Sequence, residues 1–147
     1  MTTLAADSPR QYGTGDEEAY PVIAADVIYE GAAVGENGSG YSRPLQAGDA
    51  FQGFAIETAD NSGGSAGDIN VRVKTKGKIK LPISALAITA NDRALVYASD
   101  DDTFTLTRGS NSLVGCVSAW VGTGYAIVEF DAAWAPVHES AVALGTA

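Results

Sequence analysis

The sharpest pattern in the chain lies between residues 71 and 81. Val71, Val73, Thr75, Gly77, Ile79 and Leu81 alternate with Arg72, Lys74, Lys76, Lys78 and Lys80. Spacing of period two predicts one long strand with its apolar set on one sheet face and all five cations on the other. Pro82 ends it. Shorter apolar pieces at residues 22–23, 27–29 and 33–34 stop at Gly35-Glu36-Asn37-Gly38-Ser39-Gly40, a turn-forming cluster. Residues 41–45 and 50–56 read as the next strands, and residues 60–68 as a flexible surface loop. Residues 83–90 fit a short helical turn or a loop leading to Asn91-Asp92. Residues 95–98 and 103–107 flank the acidic turn Asp100-Asp101-Asp102. Residues 113–121 and 125–130 pair across Gly122-Thr123-Gly124 as a hairpin.

Seven or eight short, evenly spaced strands predict an all-β fold, a small β-barrel or sandwich of antiparallel strands. Residues 1–20, polar and without periodicity, read as an extended N-terminal arm, residues 21–131 as the β domain and residues 132–147 as an apolar C-terminal tail. The stretch from Asp26 to Ala55 is echoed from Asp92 to Val117. Each runs strand, turn, strand, and then Phe51-Gln52-Gly53 or Leu113-Val114-Gly115. A glycine at that point lets another backbone approach closely, and two such β-hairpin units predict a pseudo-symmetric barrel.

Composition narrows the function classes. Hydrophobic residues make up 46% of the 147, enough for a core, and 17 glycines favour turns. A net charge of −9 repels phosphate, which argues against nucleic acid as partner. Cys116 is the only cysteine, so no internal disulfide can form. Residues 1–20 lack the basic start and apolar run of a secretion signal. No stretch has the run of apolar residues that a membrane helix needs, which predicts no membrane contact and synthesis in the cytoplasm.

Candidate chemistry is sparse. His138 is the sole histidine, Cys116 sits in a strand pattern that predicts a core position, and phosphate loops, metal-ligand spacings and nucleophile elbows are absent. The acidic segments at residues 60–68 and 100–102 lack the spacing of calcium loops and read as turns built on Asx side chains. This inventory predicts no enzyme activity, no cofactor and no metal. An enzyme assembled by the fold around two carboxylates is the third class, behind two kinds of binding protein.

The cationic strip concentrates five of nine bases in nine residues, leaving about −14 on the remainder. Two readings compete for Arg72, Lys74, Lys76, Lys78 and Lys80. Lysines along an exposed strand discourage edge-to-edge aggregation. They also suit docking of an acidic partner, a second copy of the chain included.

The order of segments resembles that of the capsid decoration (cement) proteins of tailed bacteriophages. The resemblance is carried by Val34-Gly35 with its turn, Phe51-Gln52-Gly53-Phe54-Ala55, and Gly77-Lys78-Ile79-Lys80-Leu81-Pro82. It continues through Asn91-Asp92-Arg93-Ala94-Leu95-Val96-Tyr97, Phe104-Thr105-Leu106-Thr107, Leu113-Val114-Gly115-Cys116-Val117 and the closing strand at residues 126–130. It spans about three quarters of the chain. Asn91 stands where the family usually has Gly, a replacement that left-handed backbone tolerates. Some relatives carry a recombinase-like label, against which the acidic charge and missing phosphate loop argue.

The resemblance implies a β-barrel or β-tulip body that binds the outer surface of a phage head. There it bridges major capsid protein subunits, commonly as a homotrimer, and becomes part of the virion. Tyr12, Tyr20 and Pro21 in the arm and Trp134 in the tail are the expected anchors. The arm would order on the shell or an adjacent copy, and Trp134 would be covered by a neighbouring subunit. The alternative is a carbohydrate- or receptor-binding module of a phage fibre or adhesin, with Trp120, Trp134 and the tyrosines as a stacking platform.

Overall fold

A computed structural model describes Thr3 and residues 5–134. They form twelve strands and one 3-10 helix (Ile88–Asp92). Five strands make the first sheet: β1 (Glu17–Pro21), β3 (Ala33–Glu36), β4 (Ser42–Pro44), β5 (Ala50–Ala55) and β7 (Asn70–Lys74), ordered β1-β7-β5-β3-β4. The second sheet holds β8 (Lys76–Pro82), β9 (Leu95–Ala98), β10 (Phe104–Thr105), β11 (Ser112–Gly122) and β12 (Tyr125–Asp131), ordered β10-β9-β11-β12-β8. β2 (Val27–Ile28) and β6 (Ala59–Asp60) form a separate two-stranded ribbon. All named strand pairings are antiparallel.

The closed barrel or tulip expected from the sequence is not formed. Closure requires every strand to have a ladder partner on both sides. Here β1 and β4 end one sheet and β8 and β10 end the other. One isolated bridge, Gln46 to Asp100, links the sheets by backbone pairing. The molecule is two open antiparallel sheets packed together. The first sheet begins inside the segment expected as arm, because residues 17–20 pair with β7.

The long cationic strand is also corrected. It breaks at Thr75 into β7 and β8, which lie in different sheets. At the break the Thr75 backbone leaves both ladders, its N–H donating to the Asp16 carbonyl and its carbonyl accepting from the Ala132 N–H. Alternation continues across the break, so the sequence pattern carries no mark of it.

Each sheet buries a different set of faces. Phe51 and Phe54 of the first sheet meet Phe104 and Phe130 of the second, with ring centroids 4.9–6.3 Å apart and mostly edge-to-face. Around them pack Val96, Val114, Val117, Ala126 and Val128. The opposite face of the first sheet, with Val34, Ala55, Val71 and Val73, is covered by Val22, Ile28 and Ala59 of the connecting segments and the β2–β6 ribbon.

The echo seen in the sequence is a repeat of the whole sheet. Taken in chain order, β1, β3, β4, β5 and β7 occupy the same places in their sheet as β8, β9, β10, β11 and β12 in theirs. Strand registers relate Val34 to Val96, Phe51 to Leu113 and Gly53 to Gly115, at a constant offset of 62 residues. A bulge falls at Gln52 in one half and at Val114 in the other. The bulge reverses the alternation of side chains. Phe51 and Phe54, three residues apart, thereby reach the same cluster, as do Val114 and Val117. Gly53 and Gly115 sit where a Cβ would press into the backbone of the next strand, at Lys74 and at Glu129–Phe130.

Candidate interaction surfaces

Residues 5–14 are all exposed and carry no strand. The arm is fixed where it meets the body, Thr75 Oγ1 donating to the Gly15 carbonyl over 3.0 Å. Its own Thr14 hydroxyl donates to Asp16 Oδ1 over 2.7 Å. That bond, with the Lys74 ammonium 3.5 Å from Asp16, holds the Asp16 carboxyl below its ordinary value. Beyond the anchor Tyr12 is 91% exposed. Tyr20 and Pro21 are strand residues of β1. The Tyr20 ring is partly buried against the Val22–Val71 cluster, and burial together with Glu18 raises its hydroxyl pKa. The three expected arm anchors therefore divide, with Tyr12 projecting and Tyr20 and Pro21 built into the sheet.

The five cations divide likewise. Arg72 donates to Glu17 over 2.9 Å and lies 3.9 Å from Glu57, and Lys74 faces Asp16. These pairs are exposed and worth little individually. Lys76, Lys78 and Lys80 lie on β8, the edge of the second sheet, opposite Asp131, Glu129 and Ile127 of β12. Among the described residues Lys76 and Lys78 form no ion pair within 4.0 Å. The Lys80 ammonium sits 5.1 Å from the Tyr125 ring centroid.

Trp134 is 38% exposed and its N–H donates to the Asp131 carbonyl. His138 and the rest of the expected tail lie outside the described residues. Tyr12, Tyr29, Tyr125 and Trp134, the exposed aromatics, lie on the arm, after β2, on β12 and after β12 respectively. Trp120 is half-buried. Its N–H donates to Asn91 Oδ1 and its indole Nε1 is sealed from solvent with no partner among the described residues.

Cys116 is not the core residue that the strand pattern predicts. The bulge at Val114 turns it to the outer face, where it is half-buried next to Arg93. Cys116 and Glu129 together raise the Arg93 pKa, with Glu129 3.4 Å from the guanidinium. Arg93 itself holds left-handed backbone (φ 68°) at the position corresponding to Gly31 (φ 89°) in the first half.

Both acidic segments are turn structures. Asp100 accepts from the Asp102 N–H and the Thr103 hydroxyl, and Asp60 from the Ser62 N–H. The loop expected to be flexible is organised around Asn61, whose buried amide donates to the carbonyls of Ile23 and Ser65. Among the described residues, groups of three or more His, Cys, Asp or Glu able to hold a metal ion are absent. A second polar device that sequence reasoning missed is the bidentate Arg43–Asp49 pair, 2.8 and 3.0 Å long, which lies against Gly35. Any side chain on Gly35 would strike Asp49, so the glycine is the only trace of it in the sequence.

Comparison with family models, curated proteins and solved structures finds no match.

Proposed function

We propose that this chain is a structural decoration protein that binds the outer surface of a tailed-phage head and bridges major capsid subunits. The observation that carries this reading is the arm. Ten consecutive exposed residues extend from the packed β body and are clamped to it at Gly15 and Asp16. Such a segment gains its contacts from a partner and couples their loss to detachment of the body. A firmly packed two-sheet body suits a clamp under tension, since many copies bound to a lattice act together. The resemblance of the segment order to decoration proteins points to the same partner.

The test is co-sedimentation of purified protein with undecorated heads, followed by imaging of the decorated particles. Deletion of residues 2–14 keeps the Gly15 and Asp16 anchors and the whole of β1. The truncated protein should keep its circular dichroism spectrum and melting temperature and lose head binding. Binding by the truncated protein as tight as that of the full chain would overturn the role of the arm. Failure of the full chain to bind any tailed-phage head, together with selective binding on a glycan array, would replace this reading with a carbohydrate-binding one.

A further inference from the structure

β1 and β8 occupy the same place in the two halves of the repeat, each the edge strand beside the last strand of its unit. The registers make Glu17 correspond to Lys78, Ala19 to Lys80, and Pro21 to Pro82. The charge of the two edges is opposite. Around β1, Asp16, Glu17, Glu18 and Glu57 outnumber Arg72 and Lys74. Around β8, Lys76, Lys78, Lys80 and Arg93 outnumber Glu129 and Asp131. Among the described residues both edges have one ladder partner, so each presents unpaired backbone groups.

We infer that the acidic β1 edge of one copy pairs antiparallel with the lysine-bearing β8 edge of a second copy, joining chains head to tail. Lys76, Lys78 and Lys80 share one face of β8 by strand alternation. Cross-strand neighbours on one face lie close enough for opposite charges to attract and like charges to repel. Pairing β8 with another β8 would set lysines against lysines, and β1 with β1 would bring together two edges of net negative charge. Charge thus favours the unlike pairing over both two-fold dimers. A head-to-tail contact of this kind closes as a ring when its rotation permits. Pro21 and Pro82, which lack an N–H, end the ladder on both strands and confine it to the charged stretch. This deepens the reading above by naming the surfaces through which decorating copies would touch one another.

Sedimentation velocity of the purified full chain, without any shell, tests it. The wild-type protein should self-associate in low salt and dissociate as salt screens the edges. The triple variant K76E/K78E/K80E, acidic on both edges, and the double variant E17K/E18K, basic on both, should each associate at least about tenfold more weakly. An equimolar mixture of the two should reassemble, because each then finds an opposite edge. A wild-type chain that stays monomeric at every concentration, an assembly whose mass is indifferent to salt, or folded variants that assemble as tightly as wild type would each overturn the inference. So would folded variants whose mixture stays dissociated. Since no head is present, those outcomes leave the co-sedimentation result to judge capsid binding by itself.

Discussion

Replacing Gly115 by alanine is the most direct probe of the repeat, because it adds one carbon where β11 and β12 touch. The new Cβ would stand 2.9 Å from the Phe130 Cα and 3.0 Å from the Glu129 carbonyl carbon, with the Glu129 oxygen nearer still. Ordinary carbon contacts are about 3.5–4.0 Å, so the two strands must move apart by much of an ångström. They cannot do so locally, since Val117, Val128 and Phe130 are locked in the main core. Overpacking of this kind costs about 1–3 kcal/mol. For a domain of this size each kcal/mol lowers the melting temperature by about 2–4 °C, so the expected drop is about 2–12 °C. Gly53→Ala meets the same obstruction, with the Lys74 carbonyl carbon at 3.0 Å, and adds a backbone at φ 131° that an L side chain resists. That strain costs a further ~1–3 kcal/mol, so Gly53→Ala should be the worse of the two. Gly63→Ala is the control, with nothing within 4 Å and no positive φ. Thermal unfolding followed by circular dichroism checks all three. A Gly115→Ala protein that melts together with the Gly63→Ala control would refute the reasoning.

Asn61→Ala strands the carbonyls of Ile23 and Ser65 in a closed loop. Urea unfolding should show a loss of about 1–3 kcal/mol, with faster proteolysis within residues 60–68. Asp49→Ala removes the bidentate partner of Arg43 and the acceptor for the Gln46 N–H. The same assay should register a loss of about 1.5–3 kcal/mol, as for a charge-assisted bond. Burial first, then Asp100 and other neighbouring acids, raise the Asp101 pKa above 3.8. The folded state then holds this proton more tightly than the unfolded state, so its stabilising effect is full below pH 3.8 and is lost as pH rises through the folded value. Asp101→Asn should therefore melt above wild type at neutral pH, with the difference vanishing on acidification. A melting difference independent of pH would contradict this.

The hairpin between β11 and β12 and the strand at Leu95–Ala98 are legible in the sequence because glycine and alternating apolar residues mark them locally. The close approach at Gly53 and Gly115 is legible for the same reason. The break at Thr75 is not, because alternation of valine, lysine and isoleucine is identical whether one strand continues or two strands meet. Nor is β1, whose Glu17 and Glu18 look like loop residues and become strand only because β7 offers them a ladder. The difference between an open pair of sheets and a closed barrel lies in which edges find partners, a long-range matter on which local patterns are silent. Of the expected contact residues, Tyr12 keeps the exposed position an anchor needs. The cation strip is legible as charge and misleading as geometry, since its members serve two sheets.

The packing of the two sheets masks the repeat in the sequence. The two sheets do not meet through equivalent faces. Phe51 and Phe54 of the first sheet turn inward against the second, while their counterparts Leu113 and Cys116 lie on the far face of the second, Leu113 in a small cluster with Tyr97 and Cys116 beside Arg93. Positions equal in topology are therefore unequal in environment: an aromatic pair at the centre of the molecule in one half, a leucine and a half-buried thiol in the other. Burial therefore calls for different side chains at equivalent positions, while the backbone demands are the same in both halves. What stays in common is what the backbone requires in both halves: the strand-ending Pro21 and Pro82, and Gly53 and Gly115 at the close approach. The two edges differ in the same way: Glu17 and Ala19 of β1 stand where β8 has Lys78 and Lys80, so matching places in the two sheets carry opposite net charge.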